Sequence, residues 1–328
     1  MRIFVWILID MNNVYEFLLW NNCGNCCSFC HQRVYAREND SKILNNEQKI
    51  RSINLCKDFL NSDQFEKGNH ILLVGGEIFD ITDKDVKNEF MKLLLDIVNK
   101  MNNKEIDLFY INTNLLYENL DLIYWFLDNI ENNNLFDRLK FTTSYDIEGR
   151  FRLWKSELLF YNNLKKITDK YPNVKIVVNT VLTKTACNTI INDKFGTKGL
   201  IDYIKNQGKE KFTVKEWIDY FRVQINTIPY IILKSDDSPE IPTRKDVFSA
   251  LLHINNIIPG YLEWYAHNIG LKQEKLLYEY NKIDDKYVYC SSDMNNCGHS
   301  ENFKQCFADS DKCYPCEIEK LAKTIKNK

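Results

Sequence analysis

Apolar residues recur along this chain in two alternating rhythms. Short, nearly continuous apolar runs lie at 14–20 ("VYEFLLW"), 70–77 ("HILLVGGE"), 106–114 ("IDLFYINTN"), 139–144 ("LKFTTS"), 174–183 ("VKIVVNTVLT") and 220–230 ("YFRVQINTIPY"). Between them the apolar positions space out as on one face of a helix. Asn46–Leu60 places Ile50, Ile53, Cys56, Phe59 and Leu60 that way, and residues 85–101 place Phe90, Leu94, Ile97, Val98 and Met101. The same spacing predicts a helix over Leu115–Ile130, on Leu116, Leu120, Ile123 and Leu127, and another over Phe151–Tyr171 that Pro172 stops. A weaker helical stretch, broken by Gly196 and Gly199, separates the last two runs.

Runs apolar on both faces, alternating with helices, predict parallel strands covered by helices. Polar or glycine residues cluster where each run ends: Cys23, Gly75, Asn112, Ser144, Asn179, and Gln224 with Asn226. Loops at the carboxyl ends of parallel strands build the site in such folds. Six strand–helix units fall short of a closed eight-strand barrel. "LKSDDSPEIPTRKD" mixes charges around two prolines and reads as a boundary or surface loop.

The chain has 328 residues, 45% of them hydrophobic, enough for a substantial core. A net charge of −2 argues against an extensive nucleic-acid surface. The apolar start, Ile3 to Ile9, is too short to span a membrane and reads as a strand or extension; translation from Met11 is the alternative. No other segment is a transmembrane candidate, so a cytoplasmic protein is expected.

Eleven cysteines concentrate in two groups. In a reducing compartment such groups point to metal ligands rather than disulfides. "CGNCCSFC" at 23–30 admits three readings. Cys23/Cys26 with Cys27/Cys30 makes two fused CxxC pairs, but zinc sites separate their pairs so that ligands approach from opposite sides. Cys23-x3-Cys27-x2-Cys30 leaves Cys26 over. A metal-free thiol cluster is the third. The second group spaces Cys290, Cys297, Cys306, Cys313 and Cys316 around His299 in a polar segment whose folding a metal would support. Zinc, an auxiliary [4Fe–4S] cluster and no metal all remain open there. Cys56 sits on an apolar helical face and reads as buried; Cys187 has no second cysteine near it in sequence; His253 and His267 read as ordinary core or surface histidines.

The middle reading of the first group resembles the signature of the radical S-adenosylmethionine (SAM) superfamily, C-x3-C-x2-C after the first barrel strand, with an aromatic residue, here Phe29, before the last cysteine. Gly75-Gly76-Glu77 resembles that family's GGE motif. The segment "TTSYDIEGRFR" resembles its fourth-strand segment, and "VVNTVLT" its fifth. The likeness covers residues 12 to about 230. It implies a partial parallel (β/α)6 barrel over 1–235, followed by a helical connection over 236–285 and a cysteine-rich metal-binding module over 286–328.

It further implies that Cys23, Cys27 and Cys30 hold a [4Fe–4S] cluster with one iron left open. SAM would bind there, near Phe29. Glu77 or the carbonyls beside Gly75 and Gly76 would receive its amine. Ser144 would contact its ribose or carboxylate, Arg150 (or Arg152) its carboxylate, and Asn179 its ribose. Asn112 and Thr113 would face cofactor or substrate. The expected chemistry is reductive cleavage of SAM to a 5′-deoxyadenosyl radical that abstracts hydrogen from a peptide, protein or nucleotide, fed by a flavodoxin or ferredoxin. The alternative is a non-catalytic iron–sulfur or zinc protein, in electron transfer or partner binding.

Overall fold

In a computed structural model of the chain, the residues described are 8–10, 14–20, 23, 27, 44–146, 150–151, 154–194, 212–229, 242 and 244–261. The element order is β1 (Leu8–Asp10), β2 (Val14–Leu18), α1 (Asn46–Leu60), β3 (Asn69–Val74), α2 (Lys84–Asn102), β4 (Ile106–Asn112), α3 (Asp121–Asn132), β5 (Leu139–Ser144), α4 (Trp154–Lys170), β6 (Ile176–Leu182), α5 (Lys184–Ile191), α6 (Val214–Phe221), β7 (Val223–Pro229) and α7 (Arg244–Ile257). The seven strands form one sheet in chain order. Strands β2 to β7 are parallel, so the architecture is α/β and compatible with a partial β/α barrel. The apolar start supplies β1, which pairs antiparallel to β2, Leu8 opposite Glu16.

Two compact units divide the chain. The first holds 1–144, 150–178 and 221–225; the second holds 145–149, 179–220 and 226–328. In the first, β2, β3 and β4 are in register through Phe17, Leu73 and Ile111, whose side chains are all fully buried. Alternation along β3, buried at every second residue, fits a helix layer over one face. That layer is α2, which buries Val86, Phe90, Leu93, Leu94, Ile97, Val98 and Met101. Each such side chain contributes about 1.5–3 kcal/mol on leaving water. Phe90 meets Phe79 edge-on at 5.8 Å, and Phe126 of α3 meets Phe109 of β4 at 6.0 Å.

The helix starts are written locally. Asn45 caps α1 by accepting from Gln48 N, while the Gln48 side chain accepts from Asn45 N, a reciprocal capping box. Asp83 caps α2 through Asp85 N and Val86 N. Cys56 is completely buried, and burial drives its thiol pKa far up, as its apolar face implied. Cys187 on α5 is also buried.

Two expectations about the elements need correction. The helix expected from Leu115 starts only at Asp121. Asn114 Oδ1 accepts from Leu116 N at 2.8 Å, Leu115 has φ 56°, and Asn119 Oδ1 accepts from Asp121 N, so side-chain turns replace the first helical turns. The strand expected from Tyr220 starts at Val223, because Tyr220 and Phe221 close α6 and Arg222 turns the chain at φ 52°.

In the second unit, Val214 N donates to Asp193 Oδ1 and the start of α6 is capped by Thr213. Thr227 of β7 donates its N–H to the Tyr261 hydroxyl at 3.0 Å, and burial raises that phenol's pKa to about 12. His253 Nε2 lies 3.5 Å from Asp193 Oδ1. Among the described residues, no helix is long and apolar enough to cross a membrane.

Candidate functional site

Three neighbouring parallel strands of the first unit deliver their carboxyl ends to one place. After β2 the chain passes Leu19 and Trp20 to Cys23; after β3 it passes Gly75, Gly76 and Glu77; after β4 it passes Thr113 and Asn114. The first two ends are zipped together. Leu19 N donates to Val74 O at 3.1 Å, and Gly76 N donates to Trp20 O at 2.7 Å. The Trp20 indole N–H donates to Glu77 O at 3.1 Å. Gly75 is required by this approach. A Cβ there would stand 2.7 Å from Ile78 Cγ2 and 2.9 Å from Trp20 O, closer than such contacts allow.

Glu77 joins the third strand end. Its carboxylate is 2% exposed. Oε2 accepts from Asn114 N at 2.5 Å, and Oε1 accepts from Phe79 N at 3.1 Å and from the Thr113 hydroxyl at 2.9 Å. Thr113 in turn lies 2.7 Å from the Tyr117 hydroxyl. Burial raises the Glu77 pKa to about 7, against the opposing pull of the Asn114, Phe79 and Thr113 donors. Burial, with the Glu77 charge, also pushes the Tyr117 phenol well above its ordinary range.

The loop after β4 carries backbone strain. Leu115, fully buried, adopts φ 56°, a left-handed conformation that costs a non-glycine residue about 1 kcal/mol or more. Its N–H reaches Thr113 Oγ1 at 3.3 Å, and Asn163 of α4 donates to both Leu115 O (3.0 Å) and Tyr117 O (2.7 Å). Strain of this kind persists where the surroundings over-determine the backbone, and such places concentrate at working sites.

Cys23 of the cysteine loop meets this rim at the Asn114 side chain. Asn114 Nδ2 lies 3.6 Å from Cys23 Sγ, an N–H···S contact between residues 91 apart in sequence. Cys23 is exposed, whereas Cys27 is 5% exposed. An exposed thiol beside the carboxyl ends of parallel strands thus carries an amide donor on its sulfur. Cys30, Phe29 and Cys26 lie outside the described residues, as do Arg152, Cys290, Cys297, His299, Cys306, Cys313 and Cys316. No group of three or more metal-ligating side chains occurs among the described residues, which include only two cysteines of the first loop.

The other expected contacts fall as follows. Ser144 ends β5 and is half-buried; Arg150 stands half-buried ahead of α4. Both belong to the first unit. Asn179 belongs to the second, in the middle of β6. Its carbonyl accepts from Tyr145 N at 2.9 Å, and its side-chain Oδ1 accepts from Asn226 Nδ2 at 2.9 Å. Asp146 in the same unit is 1% exposed and accepts from Val181 N at 2.7 Å. Asn114, Tyr117, Asn163 and Asp146 were missed in the sequence; the only sign of the first was the polar pair Thr113-Asn114 closing an apolar run.

No model of a known protein family matches the chain, and no curated protein matches it.

Proposed function

We propose that this chain is a radical SAM enzyme. The observation that carries the reading is the junction of three parallel strand ends: the loop of Cys23 and Cys27, the Gly75-Gly76-Glu77 turn, and Asn114, whose amide reaches the Cys23 sulfur. Cys23, Cys27 and Cys30 would hold a [4Fe–4S] cluster. When bound and reduced, the cluster supplies the electron that cleaves SAM reductively.

The chain's own residues bind and orient. Both Glu77 oxygens are engaged by Asn114, Phe79 and Thr113, and its carbonyl by Trp20. The carbonyls of Gly75 and Gly76 are not among the acceptors used by these bonds, which makes them the groups to receive the SAM ammonium. Glu77 then acts by holding the turn at its place. Ser144 and Arg150 would address ribose and carboxylate, Arg150 by a charge-assisted bond. Asn179 is the ribose candidate from β6. A flavodoxin or ferredoxin would deliver the electron, and the segment 290–316 would hold zinc or a second cluster. For the substrate, the many aromatic residues and the cysteine-rich segment fit a peptide or protein, with a nucleotide as the alternative.

The test is anaerobic reconstitution with iron and sulfide, followed by dithionite and SAM. Release of 5′-deoxyadenosine is expected. A fully loaded cluster that releases none would overturn the enzyme and leave a non-catalytic iron–sulfur protein.

A further inference from the structure

We propose that Asn114 is a positioning residue for Cys23, holding the sulfur at the rim by an amide N–H, and that Glu77 fixes Asn114 for that task. The proposal rests on the reading of Cys23 as a cluster ligand and deepens it.

Asn114 is committed at every polar atom that sets its orientation. Its backbone N–H is bound by Glu77 Oε2 at 2.5 Å. Its side-chain Oδ1 accepts from Leu116 N at 2.8 Å. With the oxygen turned back onto its own loop, the amide nitrogen must face the other way, and there lies Cys23 Sγ at 3.6 Å. The residue is 8% exposed, so water does not compete freely for the amide. The adjoining backbone is held in the strained bend at Leu115, pinned by Thr113 and by Asn163. An asparagine placed only for solubility would point outward and need no such support. One buried carboxylate thus locks one amide, and that amide meets one sulfur.

The consequence is electrostatic. A donor on a ligand sulfur favours the form carrying more negative charge, which is the reduced cluster. Removing the donor should make the cluster harder to reduce.

Two variants of the full chain separate the possibilities. Asn114→Asp keeps the oxygen for Leu116 N and the backbone N–H for Glu77, and replaces the amino group by a second oxygen. Asn114→Ala removes the side chain without adding charge. In the reconstituted protein, the alanine variant should shift the reduction equilibrium about threefold to tenfold toward the oxidised form; tenfold is about 59 mV for one electron. The aspartate variant should shift it further. Iron content and melting temperature serve as folding controls. If both variants load iron as the parent does and neither moves the equilibrium by more than about twofold, the proposal is wrong.

A second measurement needs no cluster. In apo-protein labelled with ¹⁵N-asparagine, the side-chain amide pair missing from the Asn114→Asp spectrum identifies Asn114. That pair should shift in Cys23→Ala; an unmoved pair overturns the contact. A parent that assembles no cluster ends the cluster reading while the apo spectrum still decides the contact. A parent that loads a cluster but cleaves no SAM ends the enzyme reading while the reduction equilibrium still decides the role of Asn114.

Discussion

Glu77→Gln tests whether burial or hydrogen bonding governs the junction. Glu77 ordinarily titrates near 4.5 and is raised to about 7 in the folded chain, first by desolvation. The folded state therefore holds a proton that the unfolded state has released between those values. Stability falls as pH rises through that window, and the loss is complete above the folded value. The gap of about two and a half pH units corresponds to about 3 kcal/mol. Glutamine cannot ionise, so it escapes this loss. Its geometry carries a separate cost. With its oxygen facing Asn114 N, its amino group takes the place of Oε1, where Phe79 N and Thr113 donate. Thr113 can turn its hydroxyl toward Tyr117 instead. Phe79 N cannot turn, and an orphaned buried donor costs about 1–3 kcal/mol.

At pH 5 the parent should thus be more stable than Glu77→Gln by about 1–3 kcal/mol. By pH 8.5 that advantage should shrink by about 3 kcal/mol and vanish or reverse. Urea unfolding at both values, followed by tryptophan fluorescence since Trp20 bonds Glu77 O, measures the difference. Other titrating groups cancel between the two proteins. An advantage that stays constant between these two values would show that Glu77 is not raised, since a normal or lowered carboxyl is ionised in both states across that range.

Other substitutions probe the remaining links. Gly75→Ala drives a methyl group into Trp20 O and Ile78, so it should cost about 1–3 kcal/mol and loosen the strand ends, read as lower melting temperature with poorer iron loading. Asn163→Ala removes two donors from Leu115 O and Tyr117 O, and a loss of about 2–4 kcal/mol is expected in urea unfolding; a loss under about 0.5 kcal/mol would mean that the bend at Leu115 supports itself. Cys26→Ala should keep iron content and SAM cleavage, whereas Cys23→Ala, Cys27→Ala or Cys30→Ala should each abolish cluster loading. If Cys26 proves essential, the C-x3-C-x2-C register is in error.

Periodicity alone determined most of the elements of this protein. The helix over Asn46–Leu60 and the strand over Leu139–Ser144 have the limits that their apolar spacing predicts, because local caps and burial agree there. Alternation of strand and helix likewise determined a parallel sheet, since only crossover helices can cover both faces of such apolar strands. The loop after β4 was not legible. Leu116 and Leu120 sit at helical spacing, yet Asn114 and Asn119 turn the chain with their side chains, and nothing in the spacing reports that competition.

The same holds for the site. The glycine pair and the cysteines stand out in sequence because their chemistry is rare. Which oxygen of Glu77 meets which donor depends on strand ends that lie 37 residues apart for Asn114 and Glu77, and 91 for Asn114 and Cys23. Gly75 was legible as a glycine; that its reason is the Trp20 carbonyl, only the packing of β2 against β3 decided. Burial did the rest, turning an acidic side chain that reads as a ligand contact into one that titrates near neutrality while binding the rim together.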